Sequence, residues 1–331
     1  MTLQHRPVLP ALAAAILWSV ALSAAQAEDK FPTRPIQLIV PTAPGGGTDV
    51  AARLLASIAE GELHQKILVL NKPGAGGAIG VQAMLDAPHD GYTIGGVWNS
   101  PMTVTPQMFK VSYNQDSYVP IVLSDISPIV FCVQKDFPAT DGKSFIQELK
   151  SHPDKYTYGT DGVSGTVHLG GELIFSSLGV KARAIPYAGA GETLESFLGN
   201  HIDIYGGSIP PILPFVQKGT AKCLLVTTDD RNKMLPSASS VADLGIPQDQ
   251  TILWHAVVAP AGTPADRLAI LEHAFQTAAH SAKYQAFAAK QGETAVGWGS
   301  KESEDAIKKE YVAFGKVIAD LGLAKKNAAP Q

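Results

Sequence analysis

Hydrophobic positions along the chain follow two alternating periods. Short runs rich in Val, Ile and Leu, of the length of a buried strand, are each followed by a stretch in which apolar residues recur every three or four positions. In the first such stretch Val50, Leu54 and Ile58 recur at i, i+4 and i+8, which places them on one face of a helix. Strands separated by single helices are typical of βαβ units, so the pattern predicts an α/β protein with a parallel sheet.

The same periods give the bounds of the individual elements. The predicted strands are Ile36–Val40, Ile67–Leu70, Tyr92–Val97, Ile129–Gln134, Tyr156–Thr160, Ala182–Pro186, Ile202–Gly206, Cys223–Thr227 and Leu253–Ala259. The predicted helices are Thr48–Glu60, Ala78–Leu85, Lys143–Ser151, Thr166–Leu178, Glu192–Leu198, Pro211–Lys218, Pro264–His280, Ala282–Gln291 and Lys301–Leu321. No internal repeat or long linker interrupts the alternation, and we expect the tail Lys325–Gln331 to be frayed.

The first 27 residues have a different pattern. An apolar run, Val8–Ala25, follows Arg6, and Ala25-Gln26-Ala27 matches the small-x-small rule for signal peptidase. The alternative is a membrane anchor, but a run of about 18 residues is at the lower limit for a span, and Pro10 interrupts it. We therefore predict a signal peptide that is cleaved before Glu28, export to the periplasm, and a soluble mature chain.

Composition limits the remaining function classes. The chain has 331 residues, enough for about two domains. Its 45% hydrophobic content excludes overall disorder. With 26 Lys and Arg against 30 Asp and Glu, it lacks the basic excess of a general nucleic-acid binder. Only 17% of the residues are charged, while 31 are Gly and 23 are Pro, so the backbone is expected to carry much of the recognition.

The two cysteines, Cys132 and Cys223, lie in separate predicted strands. Export to an oxidising compartment permits a disulfide between them. Free cysteines are often buried, however, and a disulfide needs a specific Cα separation that a sequence does not show. Both states stay open, and two separate buried thiols are the favoured interpretation.

Glycines cluster where predicted strands end and helices begin, in residues 41–49, 71–77 and 159–168. In parallel sheets these junctions lie at the carboxyl ends of the strands, where ligands bind. Helix N-termini offer unpaired N–H groups that suit an anion, and glycine lets a ligand approach the backbone closely.

Motifs that would indicate an enzyme do not match. There is no P-loop; residues 74–80 miss the dinucleotide fingerprint by one position; and residues 162–166 end in Thr where a nucleophile elbow needs Gly. The nine histidines show no metal-site spacing. We therefore expect no catalytic residues, no metal and no cofactor, and a periplasmic enzyme is the weaker alternative.

The order of the loop motifs resembles one known family. The mature chain is similar, over about residues 31–322, to the Bug family of receptors, the TctC-like substrate-binding proteins of tripartite tricarboxylate transporters. The matching segments are Phe31-Pro32-Thr33-Arg34-Pro35-Ile36, Pro44-Gly45-Gly46-Gly47-Thr48-Asp49, Asn71-Lys72-Pro73-Gly74-Ala75-Gly76-Gly77, Asp90-Gly91-Tyr92-Thr93, Pro186-Tyr187-Ala188-Gly189 and Ala259-Pro260-Ala261-Gly262-Thr263-Pro264.

The resemblance implies a two-lobed periplasmic-binding-protein fold, type II-like, with two crossover strands near Asp125–Ile129 and Thr251–His255. The first lobe would consist of residues 28–127 and 254–331, and the second of residues 128–253. The implied ligand is a small carboxylate, passed to a membrane permease with a large and a small subunit. Presentation of the ligand to a sensor kinase is the alternative. We expect no nucleic-acid partner and a monomer.

The resemblance also implies the ligand-binding residues. From the first lobe these are Thr42, Ala43, Gly45, Gly46, Asp49, Asn99 and Ser100. Gly45 and Gly46 would present N–H groups to a ligand carboxylate, Asp49 would hold bridging waters or cap the first helix, and Asn99 would donate hydrogen bonds. Thr42 stands where many members carry an aromatic residue, which is expected to widen the pocket.

From the second lobe the implied residues are Ser164, Gly165, Thr166, His168, Tyr187, Asp203 and Ser208. The first three would hold the other end of the ligand at a helix N-terminus. Tyr187 and Asp203 would shape the floor of the cleft, and Asp203 is also consistent with a residue that only orients loops. His168 is equally consistent with a packed residue in the first turn of its helix. Many members have Gly-x-Gly-Ser where this chain has Gly162-Val163-Ser164-Gly165, which moves the hydroxyl by one position.

Overall fold

The structure is a computed structural model that describes residues 31–45, 47–162, 165–187 and 190–323. The described residues from Arg34 onward belong to one compact unit. The strands are, in chain order, β1 (Ile36–Val40), β2 (Ile67–Asn71), β3 (Thr93–Trp98), β4 (Tyr118–Pro128), β5 (Val130–Gln134), β6 (Thr157–Thr160), β7 (Arg183–Pro186), β8 (Ile204–Gly207), β9 (Ala221–Val226), β10 (Ile252–Pro260) and β11 (Thr294–Trp298). The α-helices are α1 (Gly47–Leu63), α2 (Ala78–Leu85), α3 (Thr105–Met108), α4 (Gly142–Ser151), α5 (Thr166–Ser177), α6 (Ala190–Leu198), α7 (Ile209–Gln217), α8 (Ala265–His280), α9 (Ala282–Lys290) and α10 (Ser300–Asp320).

The first sheet is mixed and has the strand order β11-β4-β10-β3-β1-β2. Strand β1 is parallel to β2 and β3, whereas β10 is antiparallel to both β3 and β4. The predicted parallel arrangement therefore holds for β1, β2 and β3 only, because β10 returns to this sheet from the second one and inserts antiparallel between β3 and β4. Strand β11 was not predicted, and of β4 only the end from Asp125 onward was expected, as a crossover strand. Polar residues and Pro120 interrupt the apolar pattern of β4, and β11 is a half-exposed edge strand.

The second sheet has the strand order β7-β6-β8-β5-β9. Strand β6 is parallel to β7 and β8, and β5 is antiparallel to β8 and β9. The chain passes from the first sheet to the second between Pro128 and Val130, and it returns between Val226 and Ile252. We call the first sheet with its helices the first lobe and the second sheet with its helices the second lobe.

Cys132 of β5 and Cys223 of β9 form a disulfide. The two residues are register partners on adjacent antiparallel strands, and both are buried. The favoured interpretation of two separate thiols was wrong, because only the strand pairing, which a sequence does not show, brings them together. The disulfide joins the strand by which the chain enters the second lobe to the strand by which it leaves.

Each lobe has its own apolar core, and a further cluster joins the two. The first lobe is centred on residues such as Leu123 and Trp254, and the second on residues such as Phe131 and Ile174. In the further cluster Leu169 of α5 packs against Phe314 of α10, with Val104, Met108, Val317 and Ile318 around them. Burial of this apolar surface stabilises the contact between α5 and α10.

No helix within the described ranges is both long enough and apolar enough to cross a bilayer. The predicted signal peptide, residues 1–27, and the tail Lys325–Gln331 lie outside the described residues.

Candidate functional site

A cavity of about 550 Å³ has walls from both lobes. From the first lobe, the described lining residues are Gly45, Gly47, Thr48, Val50, Trp98, Asn99, Asp125, Ser127, Trp254, His255, Phe287, Gln291 and Glu293. From the second lobe, they are Asp161, Val167, Gly206, Gly207, Ser208, Pro210 and Pro211, and Leu253 of β10 completes the lining. This volume suits a small organic molecule.

Strand direction explains why these residues meet. Strands β1 and β3 are parallel and end next to the cavity, as do β6 and β8 in the other sheet. His255 of β10 is the register partner of Trp98, so the antiparallel strand brings it to the same edge. Ligands in α/β folds bind at the carboxyl ends of the strands. The glycine clusters predicted a binding site at this position.

The loop before α1 is closed on itself. The Gly45 N–H group donates to Oδ2 of Asp49 at 2.8 Å. The Asp49 side chain is buried and lies 3.0 Å from Nε of Arg53 and 2.8 Å from Nδ2 of Asn71. Burial raises the pKa of Asp49, but these hydrogen bonds and the Arg53 charge outweigh it, so the pKa lies below its usual value. Gly45 borders the cavity, but its N–H group points to Asp49 and not to a ligand.

The N-terminus of α5 is closed in the same way. Oδ1 of Asp161, in the loop after β6, accepts the N–H group of Val167 at 3.0 Å. A Cβ at position 165 would collide with this carboxyl group, so Gly165 serves the approach of Asp161. Burial is the largest influence on the pKa of Asp161 and raises it to about 6, against the effect of the backbone hydrogen bonds. The predicted anion site at this helix is occupied by a carboxylate of the chain itself.

Asn99 borders the cavity, but its side chain is fully engaged within the protein. Its Nδ2 donates to the carbonyl of Ile252 at 2.9 Å and to Oε2 of Glu310 at 2.7 Å, and its Oδ1 accepts the Trp254 N–H group at 2.8 Å. Burial raises the pKa of Glu310 to about 7, although Thr103, Asn99 and Trp254 donate hydrogen bonds to its carboxyl group. Asn99 therefore fixes β10 to β3 and α10 and does not act as the predicted free donor.

Other predicted residues of the first lobe and of α5 lie outside the cavity lining. The Thr42 carbonyl accepts a hydrogen bond from Asn71 at 3.0 Å, and Ala43 is exposed in the same loop. Ser100 begins a π-helical turn. The Thr166 hydroxyl is buried and has no partner among the described residues. His168 lies 4.0 Å from Glu172, and burial lowers its pKa.

Three predicted residues follow or precede strands of the second sheet. Ser208 follows β8 and lines the cavity, as predicted. The Tyr187 hydroxyl is hydrogen-bonded to Ser196 of α6, so its ring packs in the lobe. Asp203 precedes β8 and accepts the Thr157 N–H group at 2.8 Å, which places it at the opposite edge of the sheet, away from the cavity. Gly46 and Ser164 lie outside the described residues.

The sequence reasoning missed a polar cluster on the first-lobe wall. Nδ1 of His255 lies 2.7 Å from Oδ1 of Asp125, and potential ligand atoms of Asp125, His255 and Glu293 all lie within 4.8 Å of one another. Asp125 is buried and also accepts hydroxyl hydrogen bonds from Ser124 and Tyr284. The sequence does contain a signal for this pair, because Asp125 and His255 interrupt apolar stretches at the predicted crossovers. A charged group in a buried strand needs a partner.

Burial and mutual charge set the protonation of this cluster. Burial disfavours the charged form of His255, but the Asp125 charge and hydrogen bond outweigh it and raise the pKa of His255 to about 9. Burial raises the pKa of Asp125, yet His255 and the hydroxyl donors hold it below its usual value. Burial and the Asp125 charge raise the pKa of Glu293 to about 7. At neutral pH, His255 is therefore a cation beside an ionised Asp125.

Comparison with known proteins gives the family. A family model described as the tripartite tricarboxylate transporter family receptor, TctC, matches residues 51–323. The chain belongs to this family. Protein BugT of Bordetella pertussis is 30% identical to this TctC-family chain over 312 residues, which are 93% of this chain and 95% of BugT. The family resemblance predicted from the loop motifs is confirmed.

Solved structures agree with the fold of this TctC-family receptor. A structure described as a periplasmic transporter is 32% identical, with a TM-score of 0.76, over 89% of this chain and 99% of that chain. An R. palustris protein solved with adipate is 26% identical, with a TM-score of 0.75, over 89% of this chain and 99% of that chain. The predicted α/β fold of the periplasmic-binding-protein type is confirmed.

Proposed function

We propose that this TctC-family receptor captures a small carboxylate in the cavity between its lobes. The observation that carries the proposal is the meeting of two strand edges, one from each sheet, at a single cavity of about 550 Å³. The R. palustris relative solved with adipate supports a carboxylate as the ligand class. Ser208, Thr48 and His255 provide hydrogen-bond donors, and Trp98, Phe287 and Pro211 provide apolar surface for a carbon chain.

We propose further that the two lobes close on the ligand. The first lobe would comprise residues 28–127 with 254–331, and the second residues 128–253. Cleavage before Glu28 would release the receptor into the periplasm, where it would act as a monomer and deliver ligand to a membrane permease. The name of the family supports the permease as partner. Mass spectrometry of the exported protein should give an N-terminus at Glu28.

Thermal denaturation of the mature protein tests the ligand class. We would compare succinate, adipate, citrate and benzoate with succinamide and adipamide, which keep the shape of two of the acids and lose the charge. A ligand that binds only the native state raises stability by mass action, by about 2.7 kcal/mol at 100 times its Kd. We expect at least one carboxylate to raise the Tm and its diamide to leave it unchanged. An equal shift with the diamide would contradict carboxylate recognition.

Small-angle scattering tests closure with the same ligand. Hinge closure around a bound molecule should reduce the radius of gyration of the mature protein. An unchanged radius at saturating ligand, established by calorimetry in the same buffer, would contradict closure and leave the ligand class untouched.

A further inference from the structure

The cavity has an unusual charge balance for a carboxylate site. No Lys or Arg is among its described lining residues, whereas Asp125, Asp161 and Glu293 are acidic. His255 is the one basic side chain in that set. A ligand carboxylate that enters this cavity therefore meets one positive charge, and it lies on the first-lobe wall.

Two backbone N–H groups beside the cavity, one in each lobe, are engaged within the protein. The Gly45 N–H group donates to Asp49, and the Val167 N–H group at the start of α5 donates to Asp161. A ligand anion would have to displace an internal carboxylate at either position. This competition makes the imidazole of His255 the more accessible donor.

The protein holds the His255 ring in one orientation. Asp125 accepts from Nδ1 at 2.7 Å and is itself fixed by Ser124 at 2.6 Å and by the Tyr284 hydroxyl. The His255 side chain is 20% exposed and borders the cavity. No hydrogen bond to Nε2 is found among the described residues. A ring fixed through Nδ1 leaves Nε2–H as a donor for a ligand.

Glu293 lies beside this donor and precedes β11. Its carboxyl group lines the cavity within the same 4.8 Å cluster. Within the described part of the chain, it makes neither a hydrogen bond nor an ion pair and interacts with Asp125 and His255 only through their charges. A half-buried carboxyl group without a partner is costly, so it fits a site that a ligand donor completes.

We propose that His255 Nε2–H and the Glu293 carboxyl group form a donor–acceptor pair that binds a carboxylate with a hydroxyl or ammonium group on the adjacent carbon. His255 binds the carboxylate, and Glu293 accepts the hydrogen bond of the neighbouring donor group. The pair favours such ligands over the unsubstituted acid, whose carboxylate would be repelled by Glu293 without compensation. The proposal rests on the proposed function and specifies the ligand within that class.

A divalent cation is a rival occupant of the same three side chains. A metal about 2.1 Å from both Nδ1 of His255 and Oδ1 of Asp125 would need these atoms roughly 3 Å or more apart, farther than a hydrogen bond. They are 2.7 Å apart and share a hydrogen bond. The second oxygen of Asp125 already accepts two hydroxyl groups. The observed geometry is that of an imidazole–carboxylate pair, and it favours the organic ligand.

Calorimetry with three matched acids tests the proposal. Succinate, malate and aspartate differ only in a hydrogen, a hydroxyl or an ammonium group beside one carboxylate. We expect malate or aspartate to bind the mature protein at least about tenfold more tightly than succinate, as for one hydrogen bond to a charged group. His255→Gln should weaken that binding about 10- to 100-fold. Equal Kd values for all three acids would overturn the proposal while leaving carboxylate binding intact.

Variants of Glu293 distinguish the two donor groups. Glu293→Leu should remove the preference over succinate for either ligand. Glu293→Gln keeps an acceptor without charge, so it should retain a preference for malate and lose one for aspartate. A preference that survives Glu293→Leu would overturn the role of Glu293. His273→Gln, on an exposed face of α8, is the matched histidine control and should leave Kd unchanged.

A substitute variant and a metal titration complete the test. If His255→Gln fails to fold, as judged by its melting curve, the double variant His255→Gln/Asp125→Asn removes the uncompensated charge and is used instead. Titration of the unliganded protein with Mn²⁺ or Zn²⁺, followed by its melting curve, tests whether a metal binds to Asp125, His255 and Glu293. Stabilisation by metal that is lost in both His255→Gln and Glu293→Leu would overturn the proposal in favour of a metal site. If none of the three acids binds, carboxylate binding itself, the proposed function, is contradicted.

Discussion

Oδ1 of Asp161 accepts the N–H group of Val167 at 3.0 Å, so the N-terminus of α5 is closed by a carboxylate of the chain itself. Asp49 closes the Gly45 loop of the first lobe in the same way. Both carboxylates lie where the sequence predicts an anion from outside. Asp161 is itself a lining residue, so the cavity wall carries an internal negative charge that a bound carboxylate must tolerate or replace.

Neutralising Asp161 should strengthen carboxylate binding. Asp161→Asn keeps an oxygen that can accept the Val167 N–H group and removes a charge from the cavity wall. We expect about a fivefold gain in affinity at pH 8, or about 1 kcal/mol of relieved repulsion. The pKa of Asp161 is about 6, so the gain should vanish below pH 6, where the wild-type carboxyl group is already protonated. Calorimetry at pH 5 and pH 8 measures both values.

The matched control for that charge change is Asp154→Asn. Asp154 is exposed in the same lobe and has a φ of 60°, a conformation that Asn tolerates well. It should leave affinity unchanged at both pH values. An equal gain in this control would assign the effect to net charge and not to the cavity.

Carboxylate affinity should fall in two steps as the pH rises. The charged groups that face His255 are Asp125 and Glu293, with the Tyr284 hydroxyl behind Asp125. Asp161, with a pKa of about 6, and Glu293, with a pKa of about 7, gain negative charges in the first step, and His255, with a pKa of about 9, loses its positive charge in the second. For an acid without an ammonium group, Kd measured from pH 6 to pH 10 should therefore rise twice. Glu293→Gln should reduce the lower step and leave the upper step unchanged.

Glu310→Gln should change the pH dependence of folding stability. The pKa of Glu310 is raised to about 7, so the folded state holds this proton over a range in which the unfolded state, at about 4.5, has released it. Stability is therefore lost as the pH rises from about 4.5 through about 7. The amide can accept from Asn99 and Trp254 and donate to Thr103. The variant should be more stable than wild type at pH 8, by at most about 3 kcal/mol, and the difference should disappear at pH 4.

Urea denaturation across this pH range measures the Glu310 effect. The comparison variant Glu310→Ala leaves the donors of Asn99 and Trp254 without an acceptor and should be less stable than wild type at every pH. A glutamine variant whose stability runs parallel to wild type from pH 4 to pH 8 would show that Glu310 does not titrate in this range.

Removing the disulfide should lower stability without changing the fold. Cys132 and Cys223 are 91 residues apart, and a disulfide typically contributes about 2–4 kcal/mol, with long loops at the upper end. The double variant Cys132→Ala/Cys223→Ala should unfold at a lower urea concentration with a near-native circular dichroism spectrum. Thiol titration of the unreduced, unfolded wild-type protein gives the independent check, because two free thiols would contradict the disulfide.

Local periodicity predicted most elements because it reflects burial within one element. The bounds of β1 and α2 match the predicted ones, and α5 and α10 differ by single residues at their ends. Strand β11 and most of β4 were missed because their pattern is set by neighbours: β4 carries Asp125, whose partner His255 is 130 residues away in the chain. A periodic pattern does not register that kind of pairing.

The sequence predicted where the cavity lies but not which hydrogen bonds its backbone groups make. The glycine-rich junctions do lie near the cavity, since strand ends in parallel arrangements converge. Which group a backbone N–H donates to depends on side chains such as Asp49 and Asp161 that turn back on their own loops. Asp203 was assigned to the cleft from family order, whereas its strand starts at the far edge of the sheet.

The disulfide also determines how the molecule bears mechanical load. Force that reaches the second lobe through its two connecting strands runs through β5 and β9, and the Cys132–Cys223 bond carries it directly from one to the other. The 91-residue segment between them then bears no tension. A pull on the two termini therefore cannot extend this segment, whose fully extended length is about 330 Å. While the disulfide is intact, a pull on the termini should therefore extend the first lobe, and the segment between the two cysteines should stay folded.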